Sequence, residues 1–382
     1  MTQRTISFGV IGGGLMGREF ASAAARWCHL TGVDFRPQIV AACDRNPLAV
    51  DWFSSNIPSV QLATTDYRAV LDSSQVEAVY VAVPHDQHQA IYTDVIRAGK
   101  HLFAEKPFGI DLPANQAILQ TVQANPSVLV RCTSQFPFFP GAYRIFQWLG
   151  EGRFGKIIEI EAGFWHSSDL DPNKPINWKR MVAINGEYGC MGDLGMHVLH
   201  IPLRFGWMPA NVRAILSKIV RERPDKEGKR VPCETWDNAV LACETKPSDQ
   251  QFPMFLSFKR IAPGHANTWF LRIYGTAWSA EFSTQNPKQL RYLPYTPGGP
   301  QEWHTLDVPY QSAYPAITGS IFEFGFSDAI LQMWAAFCDE LVHGAEAMMQ
   351  PLRCVLPQET ALKHRLFTAA LESQRSGQTI PL

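Results

Sequence analysis

Two kinds of periodicity divide this chain of 382 residues. Up to about residue 132, short apolar runs alternate with segments of helical spacing. "ISFGVIGGGLMGREFASAAAR" opens with a β-branched run that predicts a strand at about residues 5–11, followed by an alanine-rich helix. "QIVAACD" predicts the next strand, with "HLTGVDFRPQ" read as a loop insertion before it. "VEAVYVAVPHDQHQAIYTDVIRAGKHLFAEKP" predicts a buried strand, a helix ending near Gly99 and a short strand running into Glu105-Lys106-Pro107. Continuous apolar strands separated by helices predict an α/β domain with a doubly wound parallel sheet.

Beyond residue 132 the pattern changes to alternation. A helix from about Gly141 to Leu149 precedes "KIIEIEAGFW", and "VRAILSKIV", "AVLACET", "MFLSFKR", "TWFLRIYGT" and "SAEFST" follow with period two. Successive strands without long intervening helices predict an α+β domain with an open, mostly antiparallel sheet and helices on one face. Two amphipathic helices close the chain, each stopped by glycine, the second at about 357–375. The predicted domains are therefore 1–132 and 133–382.

Charge and composition narrow the partners. With 34 basic and 35 acidic side chains there is no global field to hold nucleic acid or an anionic membrane, which leaves a small molecule or a protein. The mixed run "RERPDKEGKR" at 221–230 reads as a solvated loop. No stretch approaches the ~20 apolar residues of a membrane span. Eight scattered cysteines without a CxxC pair read as reduced thiols, and the chain enters its first strand with no room for a secretory signal, so a cytoplasmic location is expected.

Gly12, Gly14 and Gly17 between a strand and a helix form GxGxxG in the context that gives it meaning. The glycines permit a tight turn, backbone approach to a pyrophosphate and close helix–strand packing, and the helix start at Leu15 and Met16 offers N–H groups to phosphate. Asp44 would hydrogen-bond the ribose hydroxyls of NAD and repel the extra phosphate of NADP, although Arg45 beside it suits that phosphate. NAD is therefore preferred to NADP. Ligands of such Rossmann sheets lie beyond the carboxyl ends of the strands, where Pro84, His85, His88, Glu105 and Lys106 also fall. In "GCMGDLGMHVLH", Asp193, His197 and His200 are spaced to share one helix face. That spacing suits a metal clamp, an acid–base pair, or a capped helix with core histidines.

GxGxxG, the Asp after the second strand, "VPHDQH", "AGKHLFAEKP" and "GDLGMH" occur in an order and spacing that resembles the Gfo/Idh/MocA oxidoreductases over most of the chain. The resemblance implies that Lys106, Asp193 and His197 line a catalytic site, and that the substrate is a sugar, glycoside or cyclitol oxidised at a secondary hydroxyl. His197 would take the proton, Asp193 would orient it or bind a neighbouring hydroxyl, and Lys106 would stabilise the developing negative charge; the Lys and His roles are open to reversal. Members commonly carry Asp where His200 stands, so His200 is expected to be structural or to support its neighbours. A zinc site lacks a third ligand, and no metal is expected. In the loop "GFWHSSDLDPNKPINWKR", Trp165, His166, Trp178 and Arg180 are candidate substrate contacts. The resemblance also implies a homodimer or homotetramer with the open sheet face covered by a second subunit. One alternative is NAD-assisted glycoside cleavage through transient oxidation. Another is a noncatalytic nucleotide- or sugar-sensing regulator, against which the set Lys106, Asp193 and His197 counts.

Overall fold

A computed structural model describes residues 3–246 and 251–382. The chain forms two compact units. The first holds the residues up to Gly109, Pro113–Phe138 and Tyr310–Thr360; the second holds Ile110–Leu112, Phe139–Pro309 and Ala361–Leu382. A single boundary at 132/133 thus assigns Tyr310–Thr360 to the other unit, because nothing in local periodicity shows which sheet a helix returns to.

The first unit is built on β1 (Arg4–Ile11), β2 (Phe35–Cys43), β3 (Leu62–Thr64), β4 (Ala78–Val81), β5 (His101–Ala104) and β6 (Val130–Cys132). They form one sheet in the order β3-β2-β1-β4-β5-β6, parallel throughout. The order reverses between β1 and β4, which makes the carboxyl ends of these two strands the topological switch point of a Rossmann fold. β2 is longer than its apolar run predicts: Phe35–Gln38 pairs with Arg4–Ser7 instead of looping. Phe35 and Pro37 point inward while Arg36 and Gln38 face solvent, so the alternation of a half-buried strand was concealed by one Pro and one Arg.

The helix Phe326–His343 lies in this unit and is buried continuously from Ala329 to Glu340. Trp334 stacks on Phe20 at 3.4 Å between ring centroids and meets Phe8 edge-on at 5.3 Å, while Phe337 stacks on Phe103 at 4.6 Å. Two of its buried polar groups, Gln332 and Asp339, are satisfied by Tyr314. The Gln332 side chain accepts from the Tyr314 amide and donates to its carbonyl, at 2.6 and 2.9 Å, and the Tyr314 hydroxyl donates to Asp339 at 2.6 Å. A helix that is apolar nearly all round belongs in a core.

The second unit contains β7 (Ile157–His166), β8 (Asn211–Ser217), β9 (Glu222–Pro224), β10 (Arg230–Pro232), β11 (Asn238–Glu244), β12 (Pro253–Lys259), β13 (Asn267–Gly275), β14 (Trp278–Ser283), β15 (Gln289–Pro294), β16 (His304–Asp307) and β17 (Ile380–Pro381). Apart from the β9–β10 hairpin they make a sheet in the order β16-β15-β14-β13-β7-β12-β11-β8-β17. Among the described residues β7 and β12 run parallel and the other neighbours antiparallel. Strand parity separates two faces. Ile160, Ala162 and Phe164 of β7 stand with Leu256, Phe258 and Leu271 on the inner face, which Phe367 of the helix Pro357–Ser376 meets through Phe258.

The run 221–230 is more than a solvated loop. It forms the β9–β10 hairpin, and Arg223, 1 % exposed, donates to the carbonyls of Asp169, Asp171 and Lys174. Among the described residues no helix is long and apolar enough to cross a membrane.

Candidate functional site

In the first unit, β1 ends in the glycine turn and the helix α1 (Leu15–Ala25) starts directly after it. Gly12 has φ 103°, and a Cβ there would lie 2.3 Å from the Ala82 carbonyl oxygen; a Cβ on Gly17 would lie 2.1 Å from that of Gly12. These two glycines let strand, turn and helix approach each other. Gly14 is different: a Cβ there would meet nothing within 4 Å. Its backbone borders open space at the start of an eleven-residue helix with no acidic side chain in its first turn, a cradle that fits a pyrophosphate. Leu15 is exposed and Met16 half-buried beside it.

Asp44, beyond the end of β2, accepts hydrogen bonds from the amides of Gly13 at 2.7 Å and Asn46 at 2.8 Å. A carboxylate has about four acceptor positions, so fastening the turn leaves lone pairs for ribose hydroxyls. Arg45 is exposed next to it.

The turns after β4 and β5 are held from within. His88, fully buried, has Nε2 at 3.0 Å from the Val83 carbonyl oxygen and stacks on Tyr92, while Pro84 and the buried His85 lead into that turn. Glu105 faces inward, its carboxylate accepting from the Tyr80 hydroxyl at 2.8 Å and its carbonyl from the Tyr92 hydroxyl at 2.6 Å. Burial, reinforced by the Glu105 carboxylate, pushes the Tyr80 phenol well above its ordinary range, so it stays a neutral donor. Glu105 and His88, expected to contact a cofactor, thus direct their side chains into the unit and fix the turns that carry Lys106 and His85. Lys106 is half-buried, and its peptide bond to Pro107 is cis. Phe108, at φ 65°, is anchored where its carbonyl accepts from Asn115 Nδ2 at 2.9 Å.

In the second unit, residues 189–200 do not form the single helix their spacing predicts. They fold as three short turns, Cys190–Asp193, Gly195–His197 and the start of His200–Arg204. The glycines serve packing rather than helix continuity. A Cβ on Gly189 would come within 2.6 Å of the Trp236 amide, and one on Gly195 within 2.7 Å of the Phe367 ring. Asp193, His197 and His200 are consequently placed by separate turns, all buried. Lys363 Nζ donates to the Met196 carbonyl at 2.8 Å and Trp269 Nε1 to the His197 carbonyl at 3.0 Å. The His197 ring meets Phe164 edge-on at 5.7 Å.

A buried ion network surrounds Asp193. Arg260 donates through Nη2 to Asp193 Oδ2 and through Nη1 to Asp169 Oδ2, the latter at 3.3 Å. Lys179 Nζ lies 3.2 and 3.3 Å from the two oxygens of Asp193. Burial raises Asp169, but Arg260 first, then Arg180 and Lys174, hold its carboxyl below the ordinary range. Arg180, expected to touch substrate, is 0 % exposed and paired with Asp237 and Asp169; it belongs to the interior.

Trp165 and His166 also part company, as neighbours in a strand must. His166 stands with Phe164 on the inner face. Trp165 turns to the outer face, where Nε1 donates to Ser257 Oγ at 2.9 Å and Lys259 lies over its ring. Trp178 is half-buried under Lys179 Nζ. Sequence reasoning missed Arg260, Lys179, Asp169 and Lys363; for Arg260 and Lys363 the available signal was a charged residue within a strand or helix pattern, and for Asp169 and Lys179, in a loop, there was none. Among the described residues no three His, Cys, Asp or Glu side chains are grouped to hold a metal ion.

A family profile described as "Oxidoreductase family, NAD-binding Rossmann fold", that of GFO_IDH_MocA, matches residues 6–131. Levoglucosan dehydrogenase of Pseudarthrobacter phenanthrenivorans is 26 % identical over 227 residues, which cover 59 % of this chain and 57 % of that protein. The match thus spans less than two thirds of that relative's length. A solved levoglucosan dehydrogenase in complex with NADH and levoglucosan has 20 % identity, a TM-score of 0.87 and coverage of 99 % of each chain. An inositol dehydrogenase homolog complexed with NAD+ from Azotobacter vinelandii has 19 % identity, a TM-score of 0.82 and coverage of 100 % of this chain and 99 % of its own. At these identities the structural likeness carries the fold.

Proposed function

We propose that this chain, whose residues 6–131 match the Gfo/Idh/MocA family of NAD-binding oxidoreductases, oxidises a secondary hydroxyl of a sugar, glycoside or cyclitol with NAD. What supports the reading most is the turn at 190–197, which fixes a cation-flanked Asp193 and a buried His197 within one short stretch.

The nicotinamide supplies hydride acceptance when bound. Gly14 and the amides at the start of α1 hold the pyrophosphate, and Asp44 accepts from the ribose diol. His197, whose imidazole can accept a proton, takes the hydroxyl proton. Asp193, kept as an acceptor, binds a neighbouring hydroxyl or orients His197. Lys106 donates to the reacting oxygen and offsets its developing negative charge. With that ammonium present the reading needs no metal.

Mixing the purified chain with NAD or NADP and with levoglucosan or myo-inositol tests this. NADH formation with at least one of the two is expected, with NAD bound about tenfold or more tightly than NADP, a difference of about 1.4 kcal/mol. Asp44→Ala should narrow that ratio. No cofactor reduction with either alcohol, in either direction, counts against the reading, and tighter NADP binding transfers the cofactor choice to Arg45.

The same reading assigns the outer sheet face to a second copy, in a homodimer or homotetramer. Ile215, Val240 and Phe255 lie exposed at 63, 44 and 43 % on β8, β11 and β12, which are neighbours in the sheet. Such clustered apolar exposure is unusual for a free surface. Light scattering should report a multiple of 42.8 kDa; the mass of one chain would remove this assignment.

A further inference from the structure

We propose that Arg260 is a positioning residue, fixing the Asp193 carboxylate as a permanent hydrogen-bond acceptor through one guanidinium shared with Asp169. The inference rests on the reading of Asp193 given above and deepens it.

The geometry is that of a fork held at both prongs. Nη1 engages Asp169 and Nη2 engages Asp193, an arrangement that a planar guanidinium makes and a single ammonium does not. The backbone of Arg260 is pinned as well. Its amide donates to the Asp237 carbonyl at 2.9 Å and its carbonyl accepts from the Asp169 amide at 3.4 Å. Asp237 is in turn fixed by Arg180 and by the amides of Ile219 and Val220, at 2.5 and 2.9 Å. Arg260 therefore has no freedom to leave Asp193.

Lys179 is the more accessible of the two cations. Its side chain is 36 % exposed against 4 % for Asp193 and for Arg260, and it projects from the short turn Trp178–Arg180. Of the two cations on Asp193, the buried one is structural and the rim one is exchangeable. A substrate hydroxyl takes the position of Lys179 while Arg260 keeps the carboxylate ionised and aimed. The charged and titratable groups facing this carboxylate and its fork include Lys179, Arg260, Asp169, Lys174, Arg180, Arg223, Asp237 and the Cys190 thiol, which burial pushes up to about 12 and so keeps neutral.

The test uses the full chain and a thermal-unfolding cycle of wild type, Arg260→Gln, Asp193→Asn and the double variant at pH 7 and pH 5. In Arg260→Gln, Asp193 is left buried with less positive charge, so its folded pKa rises. A carboxylate with a raised folded pKa is most destabilising at high pH, and the Tm loss relative to wild type should shrink by about half or more at pH 5. The double variant should be more stable at pH 7 than Arg260→Gln alone. A loss independent of pH that simply adds to that of Asp193→Asn overturns the inference. Should Arg260→Gln fail to fold, Arg260→Lys carries the same cycle, because one ammonium cannot serve both carboxylates. A second readout is NADH formation from levoglucosan or myo-inositol. Arg260→Lys should lower kcat about tenfold or more, leave the KM for NAD unchanged and move the acid limb of kcat/KM upward by about one pH unit. An unmoved acid limb overturns the inference. If wild type oxidises neither alcohol, the functional reading falls and the unfolding cycle still decides the Asp193–Arg260 coupling.

Discussion

His197→Ala and Lys106→Ala each lower turnover by about 100-fold or more while NAD affinity stays near that of the wild type. General acid–base catalysis by one positioned side chain contributes ~10²–10⁴-fold, and loss of one charge-stabilising donor costs a similar factor. The two variants separate by pH. His197→Ala removes the proposed proton acceptor and should flatten the limb of the kcat/KM profile that this acceptor sets. Lys106→Ala should leave that limb in place at a lower plateau. NAD affinity is the control, because Gly14 and Asp44, proposed to hold the dinucleotide, are distinct from both substituted residues. Turnover near wild type in either variant removes that residue from the chemistry. Reversal of the two profiles exchanges their roles.

Arg180→Met destabilises the second unit by about 3–5 kcal/mol, the range for removing one partner of a buried ion pair. Arg180 and Asp237 are both 0 % exposed, and Asp169 is 1 % exposed. Methionine fills much of the volume and leaves the Asp237 carboxylate in a dry interior without its cation, while Asp169 keeps Arg260 and Lys174. At about 2–4 °C per kcal/mol for a unit of this size, Tm should fall by roughly 10 °C at pH 7. In the wild type Asp169 is held below the ordinary carboxylate range. Its contribution is therefore complete above that range and fades as pH drops through the lowered value. A loss under about 1 kcal/mol would mean that Asp237 finds other partners.

The glycine turn and the place of Asp44 beyond β2 were legible because their geometry is local. Gly12, Gly14, Gly17 and Asp44 act through backbone geometry and strand ends, which short-range pattern records. The open sheet was legible from alternation, and it appears with β7 and β12 parallel among otherwise antiparallel neighbours. The Asp193 segment was legible in composition but not in shape. Helical spacing predicted one face, whereas Gly189 and Gly195 answer to Trp236 and Phe367, far away in the chain. Arg180 and Trp165 show the same limit. A loop rich in Pro and Asn reads as exposed, yet Arg223 of the β9–β10 hairpin lies under it and Asp237, just before β11, pairs with Arg180. Trp165 and His166 were read together as substrate contacts, and strand parity then sent them to opposite faces.

The helix Phe326–His343 also sets an order of events during synthesis. Cys132, which ends β6, completes the last strand of the first sheet, but Trp334 and Phe337, which cover its aromatic face, are made much later. At about 5–20 residues per second the interval is on the order of ten to forty seconds. Throughout it Phe8, Phe20 and Phe103 lack the rings that bury them in the finished unit. The nascent chain thus carries a finished set of parallel strands with one greasy side covered only in part, by α1, and a fragment ending near residue 138 would keep it so for good.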